Sequence, residues 1–140
     1  MKATNLNSII RLLWIKIIGT GLGAALPVLL VPASVYLWLG FPPQATMVFL
    51  RLYGLSTIAL LVGYYGGIEQ VRRGEFPAGV LRMGLVSNGG QGLLMAAAGL
   101  AGTYSAWGWM AQTMMWFLCV FVLGIASMIV LFLNNRTYGK

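Results

Sequence analysis

The segment MVFLRLYGLSTIALLVGYYGG, residues 47–67, has the apolarity of a membrane-spanning helix, yet Arg51 stands near its start. A guanidinium group is charged at any physiological pH and binds carboxylates or phosphates through paired hydrogen bonds. If the helix enters from the outer face, Arg51 lies about 9 Å below the boundary. Tyr53 on the same segment, Gln112 and Thr113 near the start of the last apolar stretch, and Ser34 and Tyr36 near the end of the first reach a similar depth. Such a layer would suit the anionic or polar head of a lipid, a quinone or another amphiphile. Arg51 would supply charge, and Gln112 and a tyrosine hydroxyl would supply hydrogen bonds.

Asn88 and Gln91 form a second set, three residues apart and so on one helical face, which continues through Gly84, Met95 and Gly99. Ser56, Thr57 and Cys119 reach that depth from other stretches. Gln112, Trp116, Cys119 and Leu123 fall along one stripe, expected to face the protein.

Each group also has a plainer reading. Arg51 is long enough to snorkel to the headgroups, or it could pair with a carboxylate of a partner subunit, since no acidic residue of this chain shares its depth. Asn88 and Gln91 could make interhelical hydrogen bonds worth about 0.6 kcal/mol each. Arg82 can reach headgroups. Glu69 and Glu75 bracket Arg72 and Arg73 in what reads as solvated pairing, worth about 0–1 kcal/mol.

Other chemistries lack their residues. Histidine is absent, which removes the usual haem, zinc and copper ligand and the usual general base. A single cysteine, Cys119, allows no intramolecular disulfide and no dithiol chemistry. No Asp or Glu lies within the apolar stretches, so a proton-coupled exporter lacks its carboxylate. SNGGQGLLM, residues 87–95, has no preceding strand and no lysine for phosphate. No cofactor and no metal are expected.

The elements that must position these groups follow from composition. Of 140 residues, 59% are hydrophobic and 8% charged, where soluble domains carry about a quarter charged. The expected fold is a single all-α domain, residues 1–140, an integral membrane four-helix bundle. Its apolar stretches run over about 14–39, 45–68, 78–101 and 107–133, each longer than the ~20 residues that cross a bilayer. Short connections (LGFPPQAT, EQVRRGEFP and GTYSAW) make neighbours antiparallel. Lys2, Arg11 and Lys16 read as flanking the first stretch. With Arg72, Arg73, Arg82, Arg136 and Lys140 they fall on one side, leaving only Arg51 on the other. The net charge of +7 is thus an orientation signal, both termini inside, and not a nucleic-acid surface. Trp38, Trp107 and Trp109 mark the outer boundary, and Trp14, Tyr64 and Tyr65 the inner one. The first stretch is longer than the about 7–15 residues of a signal-peptide core and reads as an uncleaved anchor.

Pro27 and Pro32 predict a kink in the first helix. Kinks can mark cavities, although proline is also simply common in membrane helices. Gly19 with Gly23, Gly63 with Gly67, and Gly84, Gly92 and Gly99 allow close helix packing, within the chain or against another.

Two resemblances can be drawn. LRMGLVSNGGQG, residues 81–92, is similar to the arginine–asparagine–glutamate pattern of the four-helix glutathione and eicosanoid membrane enzymes. It has Gln91 in place of the acid, a different arginine spacing and a place in the third helix instead of the second, so their catalysis is not carried over. FLRLYGLSTIALLVG, residues 49–63, resembles the arginine-then-glycine helix starts of small DoxX-like bacterial four-helix membrane proteins, which have similar length. That resemblance implies four spans in a bacterial inner membrane and a heterogeneous range of functions.

Three functional classes remain. The first is an accessory or assembly subunit, packed through its glycine faces against a protein partner or a second copy. The second is a binding protein or carrier for a lipid or quinone-like amphiphile. The third is a membrane enzyme on a lipid-like substrate.

Overall fold

The computed structural model of the chain describes residues 3–43 and 46–137, and these are all-helical. Lys2, Lys140 and Ala45, which entered the expectations above, lie outside the described residues.

The first apolar stretch is not one helix over 14–39. It begins earlier and is broken into α1 (Ala3–Thr20), a π-helical segment (Gly21–Ala25), α2 (Leu26–Leu30) and α3 (Ala33–Trp38). Proline causes both irregularities. Pro27 has no N–H to give the carbonyl four residues back, and the turn before it widens, so that Leu26 N–H bonds Gly21 O. Pro32 has none for Val28 O. Val31 turns extended, with ψ 131°, as a residue before proline prefers, and the helix stops.

The later stretches are unbroken. α4 covers Val48–Arg72 where 45–68 was expected, α5 Ala78–Leu100 where 78–101 was expected, and α6 Trp109–Thr137 where 107–133 was expected. α3, α4 and α5 end on Gly40, Gly74 and Gly102, all with φ near +80°. At each, one amide bonds three residues back and the next bonds five back, as Glu75 N–H does to Gln70 O. This is the Schellman ending that glycine permits.

Among the described residues, three helical segments are long and apolar enough to cross a membrane: Leu6–Leu30, Val48–Arg72 and Trp109–Asn134. α5 is 23 residues long and carries Arg82, Asn88, Gln91 and six glycines among its apolar residues. Large apolar side chains such as Phe49, Leu93 and Phe117 point outward, an arrangement that lipid tolerates and water does not.

The helices pair antiparallel, α1 and α2 with α4, and α5 extensively with α6. Glycines set the approach. A Cβ on Gly92 would stand 2.5 Å from Leu123 Cδ2, and one on Gly99 2.5 Å from Trp116. One on Gly67 would meet Val80 at 2.9 Å, one on Gly84 Ile129 at 3.0 Å, and one on Gly63 Met83 at 3.3 Å. Gly54, which the sequence reading passed over, lies against Leu29 and the Ala25 carbonyl. The dense core gathers Ile9 and Leu13 of α1, Tyr64 and Ile68 of α4, Leu81 of α5, and Ile125 and Ile129 of α6. All lie toward one end of the molecule. The other end, beside the broken helix, is hollow.

Candidate functional site

The proline breaks create the hollow. Where α1 widens and α2 stops, the chain no longer fills the space between α4, α5 and α6, and a cavity of about 390 Å³ remains. Its walls are mainly apolar: Pro27 and Val28, Leu50 of α4, Leu94 and Met95 of α5, and Met114, Met115, Leu118 and Val122 of α6. Methionine is common there, and its flexible thioether suits a surface that adapts to an apolar guest. Five polar side chains share the lining: Lys16, Thr20, Tyr36, Tyr53 and Gln91.

Two lining rings, Tyr36 and Phe41, begin a chain of aromatic contacts. Tyr36 packs on Phe41, Phe41 on Trp107, Trp107 on Tyr104, and Tyr104 on Trp116, with centroids 4.8–6.1 Å apart. Gly108 N–H bonds Gly40 O at 2.8 Å and Ala111 N–H bonds Leu39 O at 3.1 Å, tying α3 to the start of α6. Gly40 and Gly108 touch backbone to backbone, so neither has room for a side chain. Tyr104 donates to Met95 O at 2.9 Å and Tyr36 to Pro27 O at 3.0 Å.

Arg51 has a different position from the other candidates. Its guanidinium donates to Val28 O at 2.6 Å and to Val31 O at 2.8 Å. Val28 O is the acceptor that Pro32 cannot serve. Val31 O is left over because Val35 N–H turns to Pro32 O instead. The arginine therefore caps the C-terminal end of α2, where a cation is also favoured by the helix dipole. The guanidinium is thus engaged with the chain's own backbone, and Arg51 does not line the cavity but borders an open outer groove with Leu29, Met47 and Leu52.

The remaining candidates divide. Tyr36, Tyr53 and Gln91 meet at the cavity. Gln112 donates to Trp107 O at 2.8 Å and lies in an open outer groove with Trp109 and Thr113. Asn88 is fully buried between α4 and α5. Its amide donates to Gly84 O at 2.6 Å and to the Tyr64 hydroxyl at 3.0 Å, while Oδ1 has no partner. Its chemistry is interhelical. On α6, the Cys119 thiol donates to Gly92 O at 3.4 Å and Leu123 covers Gly92, so that part of the stripe faces α5.

Sequence reading took Lys16 for a flanking orientation signal, because the first helix was expected to start near Trp14. The apolar segment begins at Leu6 instead, which puts Lys16 in its interior. It is 5% exposed. Its ammonium lies 5.9 Å from the centroid of the Phe121 ring, close to the limit of a cation–π contact. Gly19, one turn on, leaves room for that ring, since a Cβ there would stand 2.8 Å from Phe121 Cζ. Among the described residues no carboxylate pairs with Lys16. The two ion pairs are Arg72 with Glu69 at 2.7 Å and Arg73 with Glu75 at 3.5 Å, both exposed. The missed signal was present in the sequence: NLNSIIRLLWIKIIGT continues the helical apolar pattern upstream of Trp14, with Ile9, Leu12, Leu13 and Lys16 on one face.

The site can thus hold an apolar chain beside one cation and several neutral hydrogen-bonding groups. Neither family models, nor curated proteins, nor solved structures give a match to the chain.

Proposed function

We propose that this chain is a membrane protein that binds or carries a hydrophobic amphiphile within its own helices. The observation that carries this reading is the cavity, about 390 Å³ with apolar walls and Lys16 set among them. The volume falls at the small end of the range for ligand pockets, roughly 300–1,000 Å³. In this reading α5 is a fourth span, its polar residues turned to α4 and to the cavity, and both termini face the cytoplasm of a bacterial inner membrane.

The accessory-subunit reading has less support. Its glycine faces at Gly19, Gly63, Gly67, Gly84, Gly92 and Gly99 are covered by this chain's own side chains. A Cβ on Gly23 would meet nothing within 4 Å, and Gly23 borders both the cavity and the outer groove beside α6.

The test is organic extraction and mass spectrometry of the protein purified gently from its own membrane. A small molecule should copurify near one-to-one with the wild type and be lost from Leu118→Trp, which fills the cavity, while helicity and melting stay unchanged. Wild-type protein free of any such molecule, isolated with different protein chains instead, would reject the proposal and favour a subunit.

A further inference from the structure

We infer that the amphiphile is a single-chain monoanion, with a carboxylate-type head set against Lys16 and a tail leaving through the seam between α1 and α6. The inference rests on the binding reading above and deepens it. Lys16 stands ten residues after Leu6, the first residue of the apolar segment. Lys16 is 5% exposed, and a buried ammonium is costly unless it is paired. The Phe121 ring is a weak partner, and no acid of this chain supplies the counter-charge. The second cation of this half of the molecule, Arg51, is engaged with Val28 and Val31. One cation faces the cavity, so one negative charge balances it. Gln91 and Tyr53 remain as neutral donors.

The seam accounts for the tail. A groove of about 300 Å³ lies between α1 and α6, and it shares Gly23, Met114, Leu118 and Phe121 with the cavity. The two spaces are neighbours across the same side chains. α1 and α6 make few contacts with each other, so a chain can lie there and reach lipid. The small volume suits one tail and not two.

The experiment compares palmitate, hexadecanol and hexadecylamine for retention by the full-length protein in nanodiscs of neutral phosphatidylcholine. Palmitate should be retained at least about tenfold better than hexadecanol, the increment expected for a hydrogen bond to a charged group. Hexadecylamine should be retained least. Lys16→Gln should remove the palmitate advantage and leave hexadecanol retention as it was, which also shows that the variant is folded. Equal retention of palmitate and hexadecanol by wild type overturns this inference and leaves amphiphile binding standing. Retention of none of the three overturns both. Should Lys16→Gln fail to fold, the wild-type ratio decides.

Discussion

Arg51 and Lys16 are two cations in apolar helices, and their surroundings give them opposite energetic roles. Arg51 satisfies two carbonyls that Pro32 orphans. Arg51→Ala would leave both acceptors short of a donor, at a cost of about 1–3 kcal/mol. In a Pro32→Ala background the restored amide can serve Val28 O, so Arg51→Ala should cost clearly less. Thermal unfolding of the four proteins in detergent gives the coupling, and additive losses would show that the arginine is not a helix cap. Lys16 is buried, and among the described residues no carboxylate pairs with it. Lys16→Met should therefore raise the apparent melting temperature of ligand-free protein by a few degrees, because an unpaired buried charge is exchanged for an apolar side chain of similar length. A lower melting temperature would mean that the ammonium stabilises the empty fold. Arg51 could be recognised from sequence as unusual, but its partners could not, since carbonyl orphaning depends on where the helix breaks.

Helix contacts are set by glycines, and these are not equivalent. Gly92 and Gly99 lie under Leu123 and Trp116, whereas a Cβ on Gly90 would meet nothing within 4 Å. Gly92→Val should push α5 from α6 and cost about 1–3 kcal/mol through overpacking. Gly90→Ala should be neutral or gain up to about 1 kcal/mol from the lower entropy of the unfolded chain. Circular dichroism during heating distinguishes them, and equal effects would contradict the antiparallel α5–α6 contact described above. The sequence marks all of these as small residues. It does not distinguish one facing a leucine from one facing lipid, because the angle at which a helix presents each face is decided by its neighbours.

At the scale of the whole molecule, a dense end and a hollow end lie on the same helices. The threading proposed here makes a direct prediction in a Cys119→Ser background. A cysteine at Ser105, in the exposed loop after α5, should react with an impermeant thiol reagent from outside the cell. One at Arg73, in the loop before α5, should react only after the membrane is opened. Labelling of both from one side would mean that α5 does not cross. The sequence alone determined that the chain is helical and apolar enough for a membrane, because composition and uninterrupted apolar runs depend on no other part of the fold. It also determined that proline would disturb the first helix, since a missing N–H is a local property. Only the tertiary structure decided that Lys16 is buried beside Phe121 and faces a cavity. It also turned Arg51 to the broken backbone, separated Gln112 and Asn88 from Tyr36, Tyr53 and Gln91, and left a cavity where the prolines bend the chain. Those outcomes depend on the rotation and packing of four helical segments against one another, and no single segment contains that information.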